Sequence, residues 1–123
     1  MFEDCKILYL EDEILIALDT SEHLETLGFD SVVMAHRLDQ AREAAATTTF
    51  DFALLDINVD RGQTSLSLGE DLNRTGVVVI YASGSSEKAT DLRADGCLFL
   101  DKPLSLTVLT DTLRQLQTDR LTA

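Results

Sequence analysis

The sequence predicts an α/β fold built on a five-stranded parallel sheet. The chain has 123 residues, the length of one ordinary domain, and its 45% hydrophobic content is enough to bury a single core. Short aliphatic or β-branched runs alternate with amphipathic stretches, which is typical of βα units. We therefore expect one domain over residues 1–123.

Five compact, mostly apolar runs are the strand candidates, because strands covered by helices on both faces show no polar alternation. They are Lys6–Leu10, Ser31–Ala35, Phe52–Ile57, Val77–Ala82 and Cys97–Leu100. In parallel α/β proteins, the loops after the carboxyl ends of the strands build the functional site. Polar residues at those ends are therefore the candidates for function.

The first helix is predicted over Glu13–Leu27, with Asp12 capping its start and Gly28 ending it. Apolar side chains recur along it at helical spacing, and this stripe is expected to face the sheet. The stripe consists of Ile14, Ala17, Leu18, Leu24 and Leu27.

Two further helices are predicted from the same spacing. One covers Leu38–Thr47, and the other follows Pro103 with Ser105 as its cap. The residues expected to face the core are Leu38, Ala41 and Ala45 in the former, and Leu106, Leu109, Leu113 and Leu116 in the latter.

Two segments after strand ends have weaker patterns. Asp60–Gly69 is rich in Gly, Ser and Thr, which predicts an irregular loop. Between the fourth and fifth strands, a short helix is expected around Glu87–Ala94.

The charge of the chain argues against two classes of partner. Twenty-two acidic against ten basic side chains give a net charge of −12, which repels nucleic acids and anionic membranes. The longest apolar run, Val77–Ala82, is too short to span a bilayer. The acidic start resembles no secretory signal, which favours a cytoplasmic protein with Cys5 and Cys97 as reduced, buried thiols. His23 and His36 fall at unrelated positions and are expected at the surface.

Polar side chains follow four of the predicted strands, at the edge where their carboxyl ends meet. Glu11 and Asp12 follow the first strand, and Asp56 lies near the end of the third. Ser83 follows the fourth strand and Lys102 the fifth. If the first and third strands are neighbours, three carboxylates lie within several ångströms of one another and require a cation. An all-oxygen set of this kind suits Mg²⁺, which keeps positions open for water and a phosphate oxygen.

Each of these residues also has a plain structural interpretation. Glu11 and Asp12 could form a helix cap and a solvated charge, and Asp56 could be a turn residue. Ser83 taken alone suits a turn, and Lys102 taken alone suits the surface. Their coincidence at one edge favours a functional site.

The chain resembles, over essentially its whole length, the receiver domain of bacterial two-component response regulators. The motifs that carry the resemblance are ILYLEDE, FALLDIN, VVIYASG and FLDKP. It implies a doubly wound, flavodoxin-like (βα)5 receiver fold with strand order 2-1-3-4-5. It also implies an aspartate that accepts a phosphoryl group from a histidine kinase or phosphotransfer protein, with Mg²⁺ as the cofactor.

Carried across residue by residue, the resemblance makes Asp56 the phosphoacceptor. Glu11 and Asp12 would hold Mg²⁺ together with Asp56 and the main-chain carbonyl of Asn58. The other positions that match are Ser83 for the hydroxyl that meets the phosphoryl group, Lys102 for the lysine that pairs with it, and Phe99 for the switch aromatic that moves with Ser83.

Two stretches depart from the family pattern. Asp60 stands where a proline commonly follows the phosphoacceptor, which favours a more mobile loop. The interval from Ser83 to Lys102 is 19 residues, about one helical turn shorter than usual. The helix within that interval is therefore expected to be short, with residues 85–95 mobile until the site is filled.

The resulting prediction is a stand-alone receiver that accepts a phosphoryl group and signals by protein contact. It assists its own phosphotransfer and dephosphorylation and is not a conventional enzyme. The string Tyr81–Ser85 partly matches the single-domain receivers, largely of alphaproteobacteria, whose fourth strand ends in Phe-Ala-Thr-Gly-Tyr.

Three alternative interpretations compete with that prediction. A degenerate receiver would bind its partner without phosphorylation, and the complete set of site residues argues against it. An unrelated aspartyl-phosphate phosphatase is expected to carry a second Asp where Asn58 stands. Met1 and the ending soon after the last helix favour a complete chain over a piece of a hybrid kinase.

Overall fold

A computed structural model describes residues 1–59, 62–84 and 98–122 of the chain. The strands in these ranges are β1 (Lys6–Leu10), β2 (Ser31–Ala35), β3 (Phe52–Asp56), β4 (Asn58–Val59), β5 (Gln63–Thr64), β6 (Val78–Ser83) and β7 (Leu98–Asp101). Five of them form one parallel sheet in the order β2-β1-β3-β6-β7. This confirms the predicted order 2-1-3-4-5, since β6 and β7 are the fourth and fifth strands of that sheet in chain order.

Helices cover both faces of the sheet. Those in the described ranges are α1 (Ile14–Thr26), α2 (Leu38–Thr47), α3 (Leu66–Arg74) and α4 (Leu106–Thr122). Leu8 and Leu10 of β1 point into a core cluster shared with α2 and α3. Ile7 and Tyr9, which alternate with them, point into a second cluster shared with α1 and α4. The sheet is therefore buried on both sides, as its continuous apolar runs predict.

The buried face of α1 agrees with the prediction in part, because Ala17 and Leu24 are buried as expected and Leu27 packs against the same core. Ile14 is 60% exposed and Leu18 52% exposed, so the expectation that both face the core was wrong. The buried residues of α1 are Ala17, Thr20, Ser21 and Leu24. Thr20 and Ser21 complete the buried face in place of the larger Ile14 and Leu18. The apolar end of α1 is left facing solvent.

The ends of α1 agree with the predicted helix boundaries only in part. Asp12 does not cap the helix, because the N-cap residue is Glu13 and no side chain caps it. Instead, the Glu13 N–H donates to Oε2 of Glu11 at 3.2 Å. Gly28 ends the helix as predicted, with a φ of 100° that favours glycine.

The segment predicted as an irregular loop contains regular structure. β4 and β5 pair as an antiparallel hairpin, with Gly62 at a φ of 90° in its turn. α3 then begins at Leu66, and its Leu68 and Leu72 are buried against the sheet. The prediction was therefore wrong from residue 63 onward, because tertiary packing stabilises a helix that its composition disfavours.

The remaining elements agree with the sequence. α2 has the predicted bounds, and Leu109 and Leu113 of α4 are fully buried. The Val108 N–H donates to Oγ of Ser105 at 3.2 Å, which confirms the predicted cap. Cys5 is a buried free thiol, also as predicted.

Some expectations fall outside the described ranges. The short helix around residues 87–94, the mobility of residues 85–95, and the positions of Asp60 and Cys97 are among them. Within the described ranges, none of the helices is both long enough and apolar enough to cross a membrane.

Candidate functional site

Three carboxylates meet at the carboxyl edge of the sheet. Glu11 and Asp12 follow β1, and Asp56 is the last residue of the neighbouring β3. One oxygen from each lies within 4.8 Å of the others. Glu11 and Asp56 are buried, whereas Asp12 is exposed, so the cluster opens to solvent on one side. The proximity expected from the strand ends is present.

Lys102 supplies a positive charge to this cluster. Its Nζ lies 2.9 Å from Oε1 of Glu11 and 3.1 Å from Oδ2 of Asp56. The residue directly follows β7, and its N–H donates to the carbonyl of Ser83 at 2.9 Å. Its peptide bond to Pro103 is cis. The end of β7, which pairs with β6, therefore places the Lys102 ammonium group beside the carboxylates that follow β1 and end β3.

The electrostatic balance at Asp56 is unfavourable to its charge. The pKa of Asp56 is raised to about 6, chiefly by burial and in smaller part by the charges of Glu11 and Asp12, against the lowering effect of Lys102. Burial lowers the pKa of Lys102, but its hydrogen bonds and charge interactions with Glu11 and Asp56 outweigh this, and the net shift is upward. One ammonium thus faces more negative charge than it neutralises.

The three remaining residues that the resemblance assigned lie in three separate parts of the fold. Ser83 ends β6, is buried, and lies opposite Asp101 in the sheet register. Asn58 is exposed and pairs with Thr64 in the β4–β5 hairpin. Phe99 is buried in the core on the α2 and α3 side, away from solvent.

A residue that the sequence analysis missed holds the main chain of Asp56. Ser65, fully buried before α3, donates its hydroxyl to the carbonyl of Asp56 at 2.8 Å. Its N–H donates to the carbonyl of Ile57 at 3.0 Å. A serine just ahead of an apolar helical spacing is a helix-start signal. That signal was hidden here because the segment was interpreted as a loop.

The two histidines were expected at the surface, away from the site, and both are half-buried. Nε2 of His23 lies 2.6 Å from Oγ1 of Thr110 on α4. Nδ1 of His36 lies 3.0 Å from the carbonyl oxygen of Glu11. His36 directly follows β2, the neighbour of β1, and this strand-end position could have indicated that it borders the site.

The donor set fits a small divalent cation. Glu11, Asp12 and Asp56 offer only oxygen ligands, which Mg²⁺ prefers, and the exposed side leaves room for water. Burial and the nearby acids disfavour the charged form of Asp56 and raise its pKa, and a divalent ion would favour that charged form. The arrangement can therefore hold a metal ion at the three carboxylates and an added anion, such as a phosphate group, beside Lys102.

No family model matches the chain, and no curated protein sequence matches it. Solved structures do. A CheY-like response regulator receiver domain from Methanospirillum hungatei is 22% identical, with a TM-score of 0.85 over 97% of this chain and 98% of that one. The receiver domain of a Francisella response regulator is 22% identical, with a TM-score of 0.80 over 95% and 99%. A chemotaxis response regulator of Vibrio cholerae is 24% identical, with a TM-score of 0.78 over 91% and 98%.

This chain has the receiver fold. At these identities the structural comparison establishes the fold, and the predicted flavodoxin-like receiver architecture is thereby confirmed. The structures it resembles are receiver domains of response regulators.

Proposed function

We propose that this chain is a single-domain response regulator of a two-component phosphorelay, with residues 1–123 forming one receiver domain. The observation that carries the proposal is the group of three carboxylates and one lysine at the carboxyl edge of a receiver-type sheet. Asp56 accepts the phosphoryl group from a histidine kinase or phosphotransfer protein. The protein then signals through contact with another protein, in the cytoplasm.

Asp56 is placed to act as the nucleophile. Its carboxylate attacks phosphorus in line, a new oxygen–phosphorus bond forms, and the bond between phosphorus and the donor nitrogen breaks. The Lys102 ammonium, already 3.1 Å from Oδ2 of Asp56, then pairs with a phosphoryl oxygen. Its contact with Glu11 at 2.9 Å holds it at the site throughout. The Ser83 hydroxyl, at the end of the adjacent strand, donates to another phosphoryl oxygen.

Glu11, Asp12 and Asp56 would hold Mg²⁺, together with the main-chain carbonyl of Asn58. When bound, the ion neutralises the carboxylates and the charge on the transferred group. These chain residues position the acceptor and its counter-charges, and the proposed reaction is the protein's own phosphorylation and dephosphorylation rather than turnover of a separate substrate.

The exposed end of α1 supports a protein as the phosphodonor. Ile14, Leu15 and Leu18 are 60%, 83% and 52% exposed, and α1 begins three residues after Glu11. An apolar patch beside a reactive site is typical of a protein interface. Farther along the helix, Asp19 and Glu22 are exposed and favour a donor with a basic rim.

The string from Tyr81 to Gly84 supports a finer assignment. We place the chain with the single-domain receivers, largely of alphaproteobacteria, whose fourth strand ends in Phe-Ala-Thr-Gly-Tyr. Ser83 retains the hydroxyl of the threonine in that pattern and lacks its methyl group.

The test of the proposed function is labelling with a small phosphodonor. Acetyl phosphate with Mg²⁺ is expected to add one phosphoryl group to the wild-type chain, read by intact mass spectrometry. Asp56→Asn removes the nucleophile and should remain unlabelled, whereas Asp51→Asn, which alters an acid at the opposite end of the sheet, should label normally. Equal labelling of Asp56→Asn and wild type, or labelling that survives removal of divalent ions, contradicts the proposal.

The role of α1 is tested with proteins as donors. Leu15→Glu is expected to slow phosphotransfer from a purified histidine kinase or phosphotransfer protein by at least tenfold, because it places a charge in the apolar contact. Labelling by acetyl phosphate should be unchanged, since Leu15 is solvent-exposed and makes no contribution to the site chemistry. Leu121→Glu, on α4 and 72% exposed, is the matched control. Equal slowing with both donors would assign Leu15 to the site rather than to docking.

A further inference from the structure

Phe99, the residue matched to a switch aromatic, packs on a second aromatic ring. Its ring centroid lies 5.1 Å from that of Tyr81, and the two ring planes are inclined by 20°. The residues are partners in the register of β6 and β7. Both are buried, with 8% of Phe99 and 1% of Tyr81 exposed. A movement of Phe99 therefore changes the environment of the Tyr81 ring.

The Tyr81 ring is held against α3. Its hydroxyl donates to the carbonyl of Leu66, in the first turn of that helix, at 3.3 Å. A Cβ at Gly69 would overlap this hydroxyl and lie only 2.5 Å from Cζ of the ring. Glycine is unfavourable inside a helix, and the space taken by the ring explains why one stands here. Tyr81 and the first turns of α3 therefore fit each other closely.

The start of α3 is in turn joined to the acceptor aspartate. Ser65, the residue before Leu66, donates its hydroxyl to the carbonyl of Asp56 at 2.8 Å. It is fully buried, so this hydrogen bond is shielded from water. A continuous series of contacts thus runs from the main chain of Asp56 through Ser65, Leu66 and Tyr81 to Phe99.

We propose that Tyr81 is a positioning residue that couples Asp56 to Phe99 through the first turn of α3. The proposal rests on the function proposed above. In the free protein, the hydrogen bond to Leu66 and the packing on Gly69 hold the Tyr81 ring, and the ring holds Phe99 inward. Filling the site at Asp56 shifts the main chain after β3, and Ser65 transmits that shift to the ring.

Loss of the Tyr81 hydroxyl should therefore favour the filled state. The probe is beryllofluoride with Mg²⁺, which stands in for the phosphoryl group on Asp56, and its affinity is measured by calorimetry. Tyr81→Phe keeps the stacked ring and removes one hydrogen bond of the free state, so binding should tighten by roughly two- to tenfold. In a Ser65→Ala background the same substitution should change the affinity less, because the link to Asp56 is already broken.

The chain offers a matched control and a spectroscopic readout. It contains two tyrosines and no tryptophan. The Tyr9 hydroxyl is buried and makes no hydrogen bond of good geometry with the described residues, so Tyr9→Phe should leave the affinity within about twofold of wild type. In that variant Tyr81 is the single tyrosine, and its fluorescence reports the stack directly. The fluorescence should change saturably with beryllofluoride, and the change should be absent in Tyr9→Phe/Asp56→Asn.

The outcomes separate this proposal from the proposed function. Normal binding and labelling, with a Tyr81→Phe affinity within twofold of wild type, overturn the coupling alone. Weaker binding by Tyr81→Phe, equal effects with and without Ser65, or an unchanged Tyr81 fluorescence at saturation also overturn it. Absence of both beryllofluoride binding and acetyl phosphate labelling in wild type overturns the proposed function, and the coupling with it.

Discussion

Acidic side chains at the two ends of the sheet have very different partners. At the amino end, Asp51 pairs with Arg120 at 2.9 Å and also accepts the N–H of Lys6 at 2.9 Å. The Arg120 guanidinium lies over the Phe52 ring at 5.0 Å from its centroid. At the carboxyl end, three carboxylates lie within 4.8 Å of one another, and Lys102 contacts two of them.

This difference separates a structural ion pair from a site prepared for ligands. At the amino end the charges balance within the chain, and the pair joins the end of α4 to the start of β3. At the carboxyl end, one lysine faces three carboxylates, so the charges do not balance. Burial and the neighbouring acids both raise the pKa of Asp56 there. A bound cation can complete that balance, and without one the excess negative charge lowers the stability of the fold.

The largest expected effect comes from removing the lysine. Lys102→Gln leaves Glu11 and Asp56 buried without their cation, and we expect the free energy of unfolding to fall by about 2 kcal/mol at pH 7.5 without Mg²⁺. Millimolar Mg²⁺ should restore most of the loss, because the ion replaces the missing charge. Urea denaturation with and without Mg²⁺ measures both quantities.

The amino end supplies the control for that experiment. Arg120→Gln breaks a pair whose members are 32% and 30% exposed, and the expected loss is about 1 kcal/mol, unaffected by Mg²⁺. A loss in Lys102→Gln that Mg²⁺ does not reverse would show that the lysine acts in packing rather than as a counter-charge.

Removing one acidic charge should change the free energy of unfolding in opposite directions at the two ends of the sheet. Asp56→Asn removes a charge that the fold disfavours, so without Mg²⁺ at pH 7.5 it should raise the free energy of unfolding by about 2 kcal/mol. Asp51→Asn should lower it by about 1 kcal/mol, because it breaks the pair with Arg120. Equal signs for the two substitutions would refute the contrast between the ends.

The pH dependence follows from the pKa of Asp56, which is raised from 3.8 to about 6. The native state binds this proton more tightly than the unfolded state, so wild type loses stability relative to Asp56→Asn as the pH rises from about 4 to about 6. Above about pH 6, the difference in free energy of unfolding between wild type and Asp56→Asn stays constant. Below about pH 4, this difference disappears. Urea titrations of both proteins at several pH values from 3.5 to 8 measure this difference. A stability difference that grows toward acid pH would contradict a raised pKa for Asp56.

The elements that the sequence predicted correctly are those with one dominant physical signal. Uninterrupted apolar runs mark strands buried on both faces, and β1, β2 and α2 were predicted with their observed bounds. Polar residues directly after those runs could be assigned to one edge because parallel strands end together. The grouping of Glu11, Asp12 and Asp56 also requires β1 and β3 to be neighbours, an order that the resemblance implied and the sheet confirms.

The errors arose where tertiary packing decides between local alternatives. In α1, Ala17 and Leu24 of the predicted apolar stripe face the sheet, whereas Ile14 and Leu18 of the same stripe face solvent. In α3, a glycine in a short polar segment predicts a loop, yet Gly69 is the residue that accommodates the Tyr81 ring. Contacts such as Ser65 with Asp56 join residues on different elements, and no spacing in the sequence encodes them.

The smallest expected effect concerns Asn58, and it tests which groups at the carboxyl end would hold the proposed cation. Mg²⁺ at ten times its dissociation constant should raise the free energy of unfolding of wild type by about 1.4 kcal/mol. Asn58→Ala should keep this increase within about 0.5 kcal/mol, because the proposed ligand is the main-chain carbonyl and the side chain is exposed. Asp12→Asn, which removes a carboxylate of the cluster, should lose at least half of it. Thermal melts at fixed Mg²⁺ concentrations compare the three proteins. If Asn58→Ala loses the increase and Asp12→Asn keeps it, the ion is held by the hairpin amide rather than by the carboxylates, and the electrostatic contrast between the two ends does not explain metal binding.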